Sequence, residues 1–290
     1  MPGSQECENG SWASSLAGWV SGSVQWGSVM PDGSTASGRF TTAGLTAGID
    51  WRVHADLVVG AALGYGRDRS TVGSFGTASN STSVSGTLYA SYSAFDPWFI
   101  DGAIGYGRLS YDNRRFVADD SVTVQGNRTG GYWFGTASTG YEMKYHGLRL
   151  SPYVRADFMR AQLDSYAEQG ASGELLTFGT MNLHSVGGTI GLRGSYDIPM
   201  RWGVLTPTAR AEYRQTLDGL FQQAMYYSDL GPGMSSTLAQ ASATRGTVNT
   251  SLGLRARGLR GVSGEVEYST SSGGGKVQSQ TVRAALKMAF

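Results

Sequence analysis

Residues 281–290 read Thr-Val-Arg-Ala-Ala-Leu-Lys-Met-Ala-Phe. In an extended chain successive side chains point to opposite sides. Val282, Ala284, Leu286, Met288 and Phe290 therefore share one face, and Thr281, Arg283, Ala285, Lys287 and Ala289 share the other. The first face is apolar throughout; the second carries two cations. A slip of one residue would turn both cations to the apolar side, at a cost of about 2–4 kcal/mol each if that side meets hydrocarbon near its midplane. The pattern fixes the register of this strand.

The same period of two recurs upstream in eleven segments: 16–27, 39–52, 57–69, 82–94, 98–111, 130–144, 148–162, 183–197, 204–214, 247–257 and 262–270. In 57–69, Leu57, Val59, Ala61, Leu63 and Tyr65 oppose Gly60, Ala62, Gly64 and Gly66. In 148–162, Leu148, Leu150, Val154, Ala156 and Phe158 oppose Ser151, Tyr153, Arg155 and Asp157. A soluble β-sandwich also alternates, but its strands run to about 5–6 residues. These segments are about twice that length, and their polar face is built of Gly, Ser, Thr and Tyr rather than Lys and Glu. The reading is an all-β fold, a 12-stranded antiparallel transmembrane β-barrel with a wet interior. An even count puts both chain ends on the periplasmic side.

The spacing of the links agrees with that orientation. Every second link is short, at 52–56, 95–97, 145–147, 197–203 and 258–261, whereas 112–129, 163–182 and 215–246 are long. Membrane barrels have short periplasmic turns and long extracellular loops. Trp51, Trp98 and Trp202 adjoin short links, where an interfacial aromatic girdle is expected. Part of 215–246 is expected to form a short helix over the mouth.

Composition removes other classes. The chain has 290 residues, 43 of them Gly, with no Gly-X-Y period, which excludes collagen. A net charge of +1 gives no electrostatic reason to expect nucleic acid as a partner. Cys7 stands alone, so neither an internal disulfide nor a cysteine-based metal site can form. No run approaches the 18 or so apolar residues of a membrane helix. Residues 1–10 lack the charged and apolar regions of a secretory signal. Residues 1–11 are therefore expected to be a truncated linker or an expression remnant, and 12–290 the barrel.

Several motifs resemble the translocator domain of the conventional, monomeric autotransporters of type V secretion. Gly44-Leu45-Thr46-Ala47-Gly48-Ile49-Asp50-Trp51 is similar to that family's early strand. Trp98-Phe99-Ile100-Asp101-Gly102, followed by Gly105-Tyr106-Gly107-Arg108 and Arg114-Arg115, resembles its fifth. Leu148-Arg149-Leu150-Ser151-Pro152-Tyr153 and Val204-Leu205-Thr206-Pro207 resemble two copies of its strand opening. The likeness spans residues 12–290.

The resemblance implies a bacterial outer-membrane protein, expected to be a monomer without cofactor. It implies that the barrel anchors and helps export an N-terminal passenger, through a linker helix in cis. About 11 residues before Trp12 would span some 16 Å as a helix, at about 1.5 Å per residue. That is short of the roughly 30 Å of a membrane's hydrocarbon. Leu286, Met288 and Phe290 are implied to form the sorting signal read by the barrel-assembly machinery, since an exposed apolar strand can add to another sheet. The charges expected in the lumen are Asp50, Asp101, Glu142, Arg155, Asp157, Arg193, Arg210, Glu212, Arg255, Glu265, Glu267, Arg283 and Lys287. They could contact a threaded chain, or brace a hydrated interior as ion pairs. Gly60, Gly64 and Gly66 leave room either for a helix or for large neighbours such as Tyr89.

Two rival functions remain: a twelve-stranded diffusion channel, and an outer-membrane enzyme. A lipase-type site needs Ser and His together on the outer face. His54 and His146 fall in short turns, and no catalytic motif surrounds His184. A protease-type site at the outer rim could draw only on Asp119, Asp120 and Asp164. Asn9 is a conceivable remnant of a linker cut inside the barrel, but no Asn-Asn pair precedes the first strand. The expectation is a barrel without enzymatic turnover.

Overall fold

The computed structural model describes residues 16–30, 37–73, 75–231, 233, 235–241, 245–258, 261–274 and 277–290. The linker read at 1–11, with Cys7 and Asn9, lies outside them. Twelve long strands follow one another in the chain. They are β1 Leu16–Val29, β2 Gly38–His54, β3 Leu57–Val72, β4 Thr77–Phe95, β5 Trp98–Val117, β6 Val122–Tyr141, β7 Leu148–Leu163, β8 Leu176–Tyr196, β9 Gly203–Tyr227, β10 Gly246–Gly258, β11 Val262–Gly273 and β12 Val277–Ala289. Each pairs antiparallel with its neighbours in sequence. β12 pairs with β1 from Ala17↔Ala289 to Val29↔Val277, so the sheet closes on itself. The Phe290 amide donates to the Leu16 carbonyl at 3.0 Å and completes the seam.

Closure removes every free edge, the condition for strands to sit in lipid, where no water can satisfy an open backbone. The distribution of apolar side chains agrees. Buried hydrophobic residues number only eight among the described residues, and several are small or lie near the rim. Large apolar side chains cover the outside instead: Leu63 is 72% exposed, Leu252 68%, Ile49 62% and Ile190 62%. Such a surface, continuous around the barrel, far exceeds the apolar patches of soluble monomers. Hydrocarbon, not a protein core, is its solvent.

The tops of the barrel differ from the expectation. Ladder pairing between β5 and β6 continues to Val117↔Val122, so most of 112–129 is strand and only 118–121 turn. β9 runs 25 residues, against roughly 9–11 needed to cross a membrane. In 215–246, part of which was expected to form a short helix, the segment Ser236–Ala241 is a strand paired with β9. Above the hydrocarbon both faces of a strand meet water, so the alternation that reveals a strand has no cause to persist. Wall height is also uneven. β4, β5, β6, β8 and β9 have 19 to 25 residues, whereas β10, β11, β12 and β1 have 12 to 14.

Candidate functional site: the lumen

Two arrangements of the same design brace the interior. On one wall, Asp50 (β2), Gly60 (β3) and Tyr89 (β4) stand in one row of the ladder. A Cβ on Gly60 would overlap the Tyr89 ring, so the ring crosses β3 and its hydroxyl donates to the Asp50 carboxylate. The Trp19 indole donates to Asp50 Oδ1 at 3.1 Å and to Tyr89 Oη at 2.7 Å. Lys287 Nζ sits 3.0 Å from Asp50 Oδ2. Asp50 is thus buried, only 8% exposed, with its charge matched and its acceptors occupied.

On the other wall the row is Tyr153 (β7), Gly191 (β8) and Glu212 (β9). A Cβ on Gly191 would lie 2.6 Å from the Tyr153 ring. The phenol crosses β8 and donates to Glu212 Oε1. Arg155 Nη1 approaches the same oxygen at 3.0 Å, and Arg155 also reaches Asp157 at 3.2 Å. Arg210 continues the chain to Glu267 at 2.9 Å, and Ser251 donates to Glu267 at 3.2 Å. Arg255 and Glu265 pair at 2.9 Å. A cavity of about 380 Å³ adjoins this wall, lined by Gln25, Arg210, Arg214, Asn249 and Ser279 among others.

The remaining charges are less engaged. Glu142 has Lys144 at 3.6 Å, and its Oε2 is buried without a hydrogen bond. The Arg193 guanidinium lies 5.5 Å from the Tyr153 ring centre and 6.0 Å from that of Phe99. Asp101, half-buried, stands in register with Ser91 and Ser138. Arg283 is exposed, in register with Ser23 and Glu267. Neither of these two makes an ion pair among the described residues.

Sequence reading missed Trp19 and Tyr153 as partners. The signal was present: each is a large polar-tipped aromatic on the inward parity of its strand. It also missed the inner rim. There Arg115 on β5 holds the buried Glu168 with two bonds, at 2.8 and 2.7 Å, and donates to the Glu174 carbonyl at 2.8 Å. This clasp ties the 164–175 loop to the wall. The Tyr166 ring occupies the space over Gly126 and stacks on Phe178, centre to centre at 4.8 Å.

Other candidate groups stand apart. His54 pairs with Asp56 at 3.5 Å in a short turn, and His146 holds a turn at φ 45°. His184 faces outward and pairs with Asp218 at 2.9 Å, while Ser185 turns to the lumen. Asp120 accepts from Ser172 and Gly173, and Asp164 from Thr129, so these rim carboxylates tie down loops. No cluster of metal-binding side chains exists among the described residues. Leu286, Met288 and Phe290 lie exposed on the outer face of β12.

A closed twelve-stranded barrel, greasy outside and polar within, with short turns at one end and tall hairpins at the other, defines a bacterial outer-membrane protein. The sequence profile of the family described as "Autotransporter beta-domain" matches residues 18–269. The chain belongs to the autotransporter β-domain family, whose role is to anchor and export a passenger across the outer membrane. It is 29% identical over 185 residues to "Esterase EstA" of Pseudomonas aeruginosa, covering 62% of this chain and 28% of that protein. The chain thus spans less than a third of the length of that curated relative. Among solved structures it is similar to the translocator domain of the autotransporter NalP from Neisseria meningitidis, with a TM-score of 0.79, 17% identity, and coverage of 95% of this chain and 89% of that one. The β-domain of the Bordetella autotransporter BrkA gives a TM-score of 0.71 at 16% identity, covering 95% and 100%. At such identities these two likenesses bear on the fold alone.

Proposed function

We propose that this barrel works as a monomeric anchor whose lumen conducts, and then holds, the segment joining an N-terminal passenger to β1. The observation that carries this reading is the inner wall. Its fixed carboxylates are neutralised by their own neighbours, through Lys287 at Asp50 and Arg155 at Glu212. A braced, hydrated bore presents hydroxyls and few unmatched charges, so it can pass a polypeptide of varied sequence without trapping it.

In this reading the barrel carries no catalysis and no cofactor of its own. Support comes from the histidines: two sit in short turns, and the third points outward with its neighbouring serine on the opposite side. Any enzymatic chemistry belongs to the passenger, and an esterase is one candidate cargo, since EstA is named so. The outer strip of β12, Leu286, Met288 and Phe290, is the surface offered to the assembly machinery before the seam with β1 forms.

A chain fitted with a secretory signal and a small folded reporter ahead of residue 16 tests the reading in a Gram-negative host. The reporter is expected outside the cell, open to added protease. A folded barrel with the reporter left in the periplasm would count decisively against export. Planar-bilayer conductance separates the diffusion channel: a large, steady current with the linker in place belongs to a channel.

A further inference from the structure

Arginines on the two sides of the wall are treated differently. Several inward ones hold carboxylates, at 2.7 Å for Arg115, 3.0 Å for Arg155 and 2.9 Å for Arg255. Six others, Arg39 on β2, Arg67 and Arg69 on β3, Arg108 and Arg114 on β5, and Arg160 on β7, share the parity of the outward residues Leu45, Leu63, Ile104 and Val154. All six are exposed, lie toward the extracellular ends of their strands, and make no ion pair among the described residues. Only Asp112 and Asp164 oppose them on this face of β5 and β7, so the arc is strongly positive.

Their height is set by the residues below. Tyr65 precedes Arg67 by two positions, Tyr106 precedes Arg108 and Phe158 precedes Arg160, while Trp133 stands in register with Arg160. Outward aromatics mark the boundary between hydrocarbon and headgroups. Two residues farther along a strand is about 7 Å, which places the guanidinium groups of Arg67, Arg108 and Arg160 among headgroups, with Arg69 and Arg114 higher on the same strands. On the other side of the barrel the ladder row containing Arg69 runs through Thr41, Trp26, Gln280, Thr270 and Thr250, none of them charged. Along that row no charge stands on β1 or on β10–β12.

Guanidinium is the side chain best matched to phosphate, which it binds through two parallel hydrogen bonds. Arginines that make no ion pair among the described residues are spare donors at headgroup depth. We propose that the β2–β7 arc is a binding surface for phosphorylated lipid headgroups of the outer leaflet. The bound lipid orients the barrel in its membrane and shields the arginines from one another.

The test uses the 290-residue chain folded in zwitterionic detergent micelles, probed with bisphosphorylated lipid A, with the same lipid A after removal of its phosphates, and with inorganic phosphate. Binding is read by native mass spectrometry and by the temperature at which the barrel unfolds. The phosphorylated lipid is expected to bind and raise that temperature. Arg67→Gln, Arg108→Gln and Arg160→Gln should each weaken binding about fivefold, the worth of one basic residue near an anionic surface, and the Lys replacements should retain most of it. Combining the three Gln replacements should abolish most of the binding, and should that combined variant fail to fold, the three single variants give the same reading. Equal binding of the dephosphorylated lipid, full competition by millimolar phosphate, or variants that bind like the parent would each overturn the proposal.

Discussion

Tyr153 on β7 passes its phenol over Gly191 of β8 to reach Glu212 on β9. Tyr89 on β4 passes over Gly60 of β3 to reach Asp50 on β2 in the same way. In each case one ladder row carries an aromatic, a glycine and a carboxylate on three consecutive strands, and the carboxylate also meets a cation. The glycine is the enabling element, because any Cβ there would occupy the volume of the ring. The row therefore ties three strands together from the inside, where no apolar core exists to do so.

Gly191→Val and Gly60→Val are expected to destabilise the folded barrel by about 1–3 kcal/mol, the usual range for overpacking. Urea unfolding in lipid vesicles measures it. Combining Gly60→Val with Tyr89→Ala should recover part of the loss. Equal stability of Gly60→Val and the parent would show that the ring does not need the gap.

Glu212→Gln should cost about 2 kcal/mol, since hydrogen bonds to a charged group contribute on the order of 1.5–3 kcal/mol, and Arg155 and Arg210 would lose their common partner. The same measurement on Asp101→Asn is expected to show little change, as Asp101 makes no ion pair among the described residues. The contrast between the two substitutions is what distinguishes a brace from a bystander.

How far these features could be read in advance depended on the solvent each residue meets. In β12, Val282 to Phe290 alternate because one side meets hydrocarbon and the other water, and that difference is written into every second letter. The outward parity of Leu45, Leu63, Val154 and Ile190 was legible for the same reason. Arg114 and Arg115 lie above the membrane, where water wets both faces, so the upper part of β5 resembled a loop. The segment Ser236–Ala241 was hidden likewise, inside what had read as one long link. The partner of Tyr153 was illegible for another reason: strand register across 59 positions is a property of the closed sheet, not of any local pattern.

Leu252→Arg, on the outer face of β10, should cost about 2–4 kcal/mol if the site lies near the bilayer midplane. Asn249→Arg, on the inner face of the same strand, is expected to change stability far less. Unfolding titrations in vesicles compare them. A reversed order would mean that lipid is not the solvent of the outer face.

Phe290→Ala tests the terminal strand in two settings. Its backbone bond to Leu16 survives the substitution, so the barrel refolded in detergent should keep most of its stability. Assembly in cells, read as the fraction of chain that reaches the heat-resistant folded form, is expected to fall severalfold. A parallel drop in both settings would reduce the residue to a packing role.

The wall around the extracellular opening stands high on one flank and low on the other, from the 25 residues of β9 to the 12 of β11. The portal is consequently slanted. The tall strands β4–β6, β8 and β9 form a palisade along one side of the opening, and β10–β12 with β1 form a low sill along the other. An asymmetry of the exit is thereby built into strand length, before any cargo sequence is specified.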